Sequence, residues 1–343
     1  MQKTKKATIK DVARLSGVGI ATVSRVINGN YPVSEAVRAD VWKAIDTLNY
    51  RPNIAARSLK TRKSRMAGVI VADLSNLFFM QLVKGLEKEL SSHGYNIILA
   101  AHDENPAKER ALVEMLLENN VAAIITTTCQ ADGAYFASLE STGVPVILVD
   151  RVLEGFPADS VSEDNEDASC RAVRSLIENG HRKIAVVNGL LTVSTVVLRF
   201  NGYLRALREA GIPPYAPYIV DAGNGTAYPA VLSLFRGLPP QDWPTAMFCT
   251  NNRRAEGTLR ALKVLGLEVP RDVSLVSYGD ISLPWLFSIR LTHVDQDLMA
   301  LGRRTGELTV RRIEEKGSRV AEILRSELVT GDSVRRLDGE TGR

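Results

Sequence analysis

TIKDVARLSGVGIATVSRVIN, residues 8–28, decides how the front of the chain folds. Thr8 followed three residues later by Asp11 is a capping box, which predicts a helix starting at Ile9. Val12 and Leu15 lie three apart, so they are expected to share its buried face. Gly17 then stands where a left-handed residue ends a helix. A second helix is expected from about Ile20 to Asn28, with Val23, Val26 and Ile27 inward and small Ala13 at the crossing. Ala13, Gly17 and Val23 have the spacing of the DNA-binding helix-turn-helix, whose second helix enters the major groove. An ordinary helical hairpin would share that apolar spacing, so charge has to discriminate. Through Arg65 the chain carries 14 Lys+Arg against 4 Asp+Glu, while the remaining 278 residues carry 29 against 35. A basic head on a mildly acidic body is the layout of a protein that sets one end on nucleic acid.

Downstream, Ser34 is placed to cap a third helix, Glu35 to Leu48, with Val37, Val41, Ile45 and Leu48 as its stripe. Asn49-Tyr50-Arg51-Pro52 stops it. In NIAARSLKTRKSR, residues 53–65, Asn53 can cap a short helix. That stretch is too poor in apolar residues to fold alone, so a linker that orders on DNA is expected. Arg57, Lys60, Arg62, Lys63 and Arg65 suit phosphates. Leu59, apolar among cations, suits either packing or a minor-groove wedge that unstacks and kinks the duplex.

From Met66 the texture changes. AGVIVA (67–72), NIILAA (96–101), AAIITT (122–127), PVILV (145–149), KIAVV (183–187), AMFCT (246–250) and VSLVSY (273–278) alternate with amphipathic helical stretches. Such alternation predicts parallel, doubly wound sheets. A weak repeat runs through it: Lys84-Gly85 through Leu90 to Gly94 spaces like Asn201-Gly202 through Leu207 to Gly211. Two similar α/β lobes facing each other make a cleft, the usual seat of a small ligand.

At 343 residues the chain suits two or three domains. Its first residues, MQKTKKATIK, have no apolar run behind them and do not read as a signal peptide. No stretch of about 18 uncharged apolar residues predicts a membrane span. Cys129, Cys170 and Cys249 are odd in number and far apart, which fits a reducing cytoplasm better than a disulfide framework. His93, His102, His181 and His293 are scattered without metal-ligand spacing. No Walker pattern or nucleophile elbow is present, so no enzyme and no cofactor are expected. Gly223-Asn224-Gly225 reads as a loop, and Glu163-Asp164 and Glu314-Glu315 read as solvated faces.

TIKDVARLSGV, ATVSRVINGN, YRPNIAARSLK, DLSNLFF (73–79), ENGHRKIAVVNG (178–189), RFNGYLRAL (199–207), TNNRRAEGTLRAL (250–262) and VPRDVSLVSYGD (269–280) together resemble the lactose-repressor (LacI/GalR) family of bacterial transcription regulators, from Thr8 to about Thr330. The resemblance implies a small all-α head and a periplasmic-binding-protein-like body of two doubly wound lobes. It also implies a homodimer on a roughly palindromic operator, with Leu59 in the leucine-wedge position. Thr8, Gly19, Ile20, Ala21, Thr22, Ser24, Arg25 and Asn28 of the head, and Asn53, Ala56, Arg57, Leu59 and Lys60 of the hinge, are its expected DNA contacts. Arg25 is the expected polar reader, since arginine bonds guanine O6 and N7 in two-pronged fashion; Ile20 and Ala21 are expected against thymine methyls. Gly19 stands where most members have serine, losing a cap side chain.

For the cleft the resemblance implies contacts from Phe78, Phe79, Asp150, Arg151, Asp164, Arg199, Asn251 and Asp280, near strand carboxyl ends. One of the two phenylalanines is expected to be plain core. Asp150, Arg151 and Asp164 suit lobe-bridging ion pairs equally well. Arg199 suits diols or a carboxylate. Departures from the family pattern at Leu77, Val197, Gly225 and Gly279 argue against a free hexose and favour a sugar acid or sugar phosphate held by Arg199.

The expected organisation is 1–52 for the helix-turn-helix domain, 53–65 for the hinge, and 66–343 for the body. Within the body, lobe one takes about 66–163 and 294–323, and lobe two about 164–293 and 324–338. The expected function is a cytoplasmic repressor whose operator affinity a bound metabolite relieves, with corepression as the alternative. A transporter's solute-binding protein would share the body but not the basic head. The polar tail GDSVRRLDGETGR lacks leucine heptads, so a dimer is expected over a tetramer.

Overall fold

The computed structural model describes residues 7–28, 32–50 and 64–337, apart from Glu154, Leu283, Phe287 and Lys316. It divides into two units, Met1–Lys63 and Ser64–Arg343. The hinge residues expected to meet DNA, Asn53, Ala56, Arg57, Leu59 and Lys60, lie outside the described residues, as does the side chain of Asn28.

In the first unit, α1 (Ile9–Ser16), α2 (Ile20–Asn28) and α3 (Glu35–Thr47) enclose a small core. The Asp11 carboxylate accepts from the Thr8 backbone N–H at 2.9 Å and from the Thr8 hydroxyl at 2.7 Å. Gly17 ends α1 at φ +69°, where a Cβ would strain the backbone. The Gly19 carbonyl accepts the first helical bonds of α2, from Thr22 and Val23. Val12, Ala13, Val23, Val26, Val41, Ala44 and Ile45 form the core. Leu15 does not join it; at 53% exposed it lies outside the face that Val12 and Ala13 bury. Ser34 precedes α3 but makes no side-chain cap bond.

The second unit holds, in chain order, β1 (Met66–Val71), α4 (Leu77–Ser92), β2 (Asn96–Ala101), α5 (Pro106–Glu118), β3 (Ala123–Thr126), α6 (Ala134–Ser138), β4 (Val146–Val149), β5 (Asp159–Glu163), α7 (Asn165–Glu178), β6 (Ile184–Asn188), α8 (Ser194–Glu209) and β7 (Ile219–Asp221). It continues with α9 (Tyr228–Gly237), β8 (Ala246–Cys249), α10 (Asn252–Val264), β9 (Ser274–Tyr278), β10 (Thr292–Asp295), α11 (Leu298–Glu314), β11 (Ala321–Leu324) and β12 (Glu327–Val329). Among the described residues these make two six-stranded sheets, ordered β11-β5-β4-β3-β1-β2 and β12-β10-β9-β8-β6-β7. The pairings are parallel except β10 with β12. Each sheet is a lobe, with helices on both faces and apolar inner strands such as β6, buried along its length, and β1, buried from Ala67 on.

The chain passes between lobes after β5, after β10 and after β11. The last two passages fall one to two residues beyond the expected 294 and 323, because β10 pairs with β9 through Val294 and runs to Asp295, and β11 pairs with β5 through Leu324. The apolar stripes foretell the inner strands, but not β5, β10, β11 and β12, which carry polar residues at a sheet's edge or next to it. Among the described residues no helix is long and apolar enough to cross a membrane.

The repeat has a packing cause. A Cβ on Gly85 of α4 would lie 2.5 Å from the Met299 carbonyl oxygen of α11, and one on Gly202 of α8 would lie 2.3 Å from the Glu166 carbonyl oxygen of α7. Each lobe thus seats glycine where two helix backbones nearly touch, and the first lobe has a second one facing Gly85's helix, Gly302, whose Cβ would lie 2.1 Å from the Leu82 carbonyl oxygen.

Candidate functional site

In the head, α2 turns Val23 and Val26 inward and leaves Ile20, Ala21 and Arg25 exposed, with Thr22 and Ser24 half-buried. Thr8 and Gly19 are exposed beside the amino ends of α1 and α2. An exposed isoleucine, a small residue and an arginine on one helix face offer apolar and two-pronged polar contact to base edges.

In the body, the strand ends meet across a cleft. Arg199, on α8 and 5% exposed, donates from Nε to Asn165 Oδ1 at 2.7 Å and from Nη1 to the Thr250 carbonyl at 2.9 Å. Its guanidinium lies 3.7 Å from the centroid of the Tyr278 ring, a cation–π stack that fixes its plane. Its Nη2 stands 3.9 Å from Asp150 Oδ1, across the lobe boundary. Asp150 follows β4 with φ +65° and is buried. Its Oδ1 has no hydrogen-bond partner among the described residues, and burial raises its carboxyl above the ordinary carboxylate value despite Arg199 and Arg151 nearby.

Arg151, expected in the cleft or in a lobe-bridging ion pair, forms a two-pronged pair with Glu104 of its own lobe, at 2.6 and 2.8 Å. Asp164 is similarly committed: Arg171 donates to one of its oxygens at 2.8 Å and the Ser326 backbone N–H to the other at 2.8 Å. It ties the first passage between lobes to the last. Its neighbour Glu163, read from sequence as part of a solvated face, is buried and accepts from Gln296 and, at 3.3 Å, from the Ser326 hydroxyl. Burial pushes the Glu163 carboxyl up to about 7.

Phe79 is core, as expected of one of the pair, while Phe78 is half-buried and meets it edge-on at 4.9 Å. Asn251 caps α10, its Oδ1 accepting from the Arg254 backbone N–H at 2.9 Å. Asp280 is half-exposed and accepts from the Ile281 N–H at 2.8 Å. Gly279 before it has φ +79°, and a Cβ there would meet Gln296 Oε1 at 2.9 Å. Side-chain backbone strain, rather than ligand choice alone, accounts for glycine at that position.

Contacts that join the lobes across the cleft include Asn252 Nδ2 donating to Asn76 Oδ1 at 3.2 Å, the Val152 N–H donating to Ser194 Oγ at 3.3 Å, and an Arg253–Asp73 ion pair. Asn76, Glu104, Asn165, Asn188 and Arg254 are cleft residues that the sequence reading passed over. The strand-end rule, applied to β2 and β6 as well, points to Glu104 and Asn188. Asn188 ends β6 fully buried, with neither side-chain polar atom partnered among the described residues.

His102, Glu104 and Cys129 bring one ligand atom each within 4.8 Å of one another. All three are committed elsewhere. His102 Nδ1 accepts from the Glu104 N–H, which leaves Nε2 to donate to the Thr127 carbonyl at 3.0 Å. Glu104 is taken by Arg151, and burial beside Glu109 pushes the Cys129 thiol far above its ordinary value. The donor set does not suit a cation.

Two family models match the chain: bacterial regulatory proteins of the lacI family over residues 8–53, and periplasmic binding proteins and sugar binding domain of LacI family over residues 64–329. The HTH-type transcriptional repressor PurR of Vibrio vulnificus (strain CMCP6) is 36% identical over 335 residues, covering 97% of this chain and all of that protein. Among solved structures, the lac repressor dimer bound to operator and the anti-inducer ONPF aligns with a TM-score of 0.85 at 26% identity, over 96% of this chain and 100% of that one. A complex of the transcriptional regulator CelR with cellobiose aligns with a TM-score of 0.69 at 29% identity, over 95% of this chain and 99% of the other.

Proposed function

The chain belongs to the LacI family of bacterial transcriptional repressors, with a DNA-binding head and an effector-binding body, and from that premise we propose that it is a homodimer reading a roughly palindromic operator under the control of a metabolite held between its lobes. The metabolite is a sugar, sugar acid or sugar phosphate. Its binding changes the angle between the lobes, the change reaches hinge residues 53–65, and operator affinity falls. The coupling is reciprocal, so operator DNA alters metabolite affinity by the same factor. Repression relieved by an inducer is the favoured sign, and the protein acts in the cytoplasm.

One observation carries this reading: the cleft buries polar atoms with no hydrogen-bond partner among the described residues, Asp150 Oδ1 and both side-chain atoms of Asn188. Such groups are expensive unless satisfied, and a polyhydroxylated ligand supplies both donors and acceptors. CelR was solved with cellobiose, which agrees with a polar, hydroxyl-bearing occupant.

Selection of duplexes from a random library, with and without added metabolites, tests the reading. Enrichment of a two-fold symmetric sequence is expected. Arg25→Ala is expected to relax preference at one base pair of each half-site, by about 1–3 kcal/mol. Binding that stays equal on every duplex, whatever is added, would refute operator recognition.

A further inference from the structure

Three arginines of the body are nearly fully buried: Arg151 at 7%, Arg199 at 5% and Arg254 at 7% exposed. Arg151 has Glu104 at 2.6 Å, and Arg199 has Asp150 at 3.9 Å. Among the described residues Arg254 has no carboxylate within 4.0 Å. Its Nη1 donates to the Gly225 carbonyl and its Nη2 to the Gly223 carbonyl. Those bonds leave Nε and one hydrogen on each amino nitrogen unspent, and Nε is buried without a partner among the described residues. A desolvated charge whose hydrogen bonds go to neutral oxygens, with Asp221 and Glu104 acting on it only from beyond ion-pair distance, is costly. That arrangement leaves room for a further compensating group.

The location says what. Arg254 lies in the first turn of α10, and that turn contains no acidic residue. A cation there opposes the helix dipole, whereas an anion is favoured at the same end. The turn faces the cleft: its neighbour Asn252 bonds Asn76 of the opposite lobe, and Glu104 of that lobe exerts its charge on Arg254. The guanidinium packs against the end of β6, where a Cβ on Gly189 would come within 2.7 Å of Nη2. Arg199, the residue favoured for this task by the sequence, already has Asp150, Asn165, Thr250 and Tyr278 around it.

We propose that Arg254 is an anion-recognition residue of the cleft and that the effector carries a carboxylate or phosphate group. The proposal rests on the reading of the cleft as the effector site. The two loop carbonyls hold the guanidinium in place, and its unspent N–H groups meet the anion.

Thermal unfolding of the full chain tests it, in inorganic phosphate against chloride at matched ionic strength. Phosphate is expected to raise the midpoint of the wild type, and Arg254→Gln is expected to weaken apparent phosphate affinity about tenfold or more. Arg254→Lys keeps the charge but loses the fork, so a severalfold loss is expected there, and it replaces the glutamine variant if that one does not fold. D-glucose, D-gluconate and D-glucose 6-phosphate then separate the sources: gluconate alone stabilising assigns a carboxylate, and the phosphate ester alone assigns a phosphate. Absence of a phosphate-specific shift in the wild type overturns the proposal, as does an undiminished shift in either variant. D-glucose stabilising wild type and Arg254→Gln equally overturns it too, while leaving the cleft itself as the effector site. Failure of that broader reading shows separately, as duplex selection indifferent to every metabolite.

Discussion

The two lobes share a scaffold and differ at its rim. Each seats a glycine at a close helix crossing, Gly85 in one and Gly202 in the other, and each ends the same helix region in a left-handed glycine, Gly94 at φ +77° and Gly211 at φ +67°. The strand ends do not repeat. In the first lobe the buried arginine, Arg151, is matched to a carboxylate in two-pronged fashion. In the second, Arg199 and Arg254 bond amide and backbone oxygens. The repetition is therefore one of packing. Helix crossings tolerate only the smallest residue whatever the protein binds, while the rim is free to diverge, and in this chain the buried arginine with no carboxylate within 4.0 Å among the described residues, Arg254, lies in the second lobe.

The sharpest way to break that contrast is at Glu104. If Arg151 is held as part of the framework, Glu104→Gln takes away its hydrogen-bonded counter-charge, leaving only Asp150 at 3.9 Å among the described residues, and should lower stability by about 3 kcal/mol. Urea unfolding measures it, and a loss under about 1 kcal/mol would mean the two rims are not different in kind. Next come the glycines. Gly85→Ala and Gly202→Ala each force a methyl against a backbone carbonyl, so each should cost about 1–3 kcal/mol; similar losses in the two lobes sharpen the claim of a packing repeat, and one neutral substitution would sink it.

The last test concerns pH. Burial holds Glu163 at about 7 against an ordinary 4.5, so between those values the folded protein keeps a proton that the unfolded chain has released. Stability should decline as pH rises through that window and level off above it. Glu163→Gln should remove that decline in unfolding curves taken from about pH 4.5 to 7.5. Parallel profiles for the two proteins would show that Glu163 does not titrate as inferred.

Much of the fold was legible because the signals are local. A capping box, a left-handed glycine and an apolar stripe each act within a few residues, and Thr8–Asp11, Gly17 and the strands from β1 to β9 with long apolar runs follow from them. Leu15 shows the limit: spacing places it near Val12, but the third helix decides which side of α1 is covered. The cleft was legible only in part. Strand-end logic and family resemblance reached Arg199 and Asp150. The resemblance also reached Asp164, but not its tie to Ser326, 162 residues away; the strand-end rule extended to β2 points to Glu104, but not to its partner 47 residues on. Arg254 did leave a local trace, a second cation in the first turn of a helix, against the dipole.

The order of strands also bears on how the protein is made. β11 at residues 321–324 completes the edge of the first sheet and β12 at 327–329 the edge of the second, and α11 at 298–314 packs on α4. Neither lobe can finish its sheet until nearly the whole chain has left the ribosome, although the head closes its own core within the first fifty residues. A nascent chain therefore displays a finished helix-turn-helix well before it owns the body that is to govern it. A messenger broken before codon 321 would release a protein with both sheets open at one side, a substrate for proteases rather than an unregulated repressor.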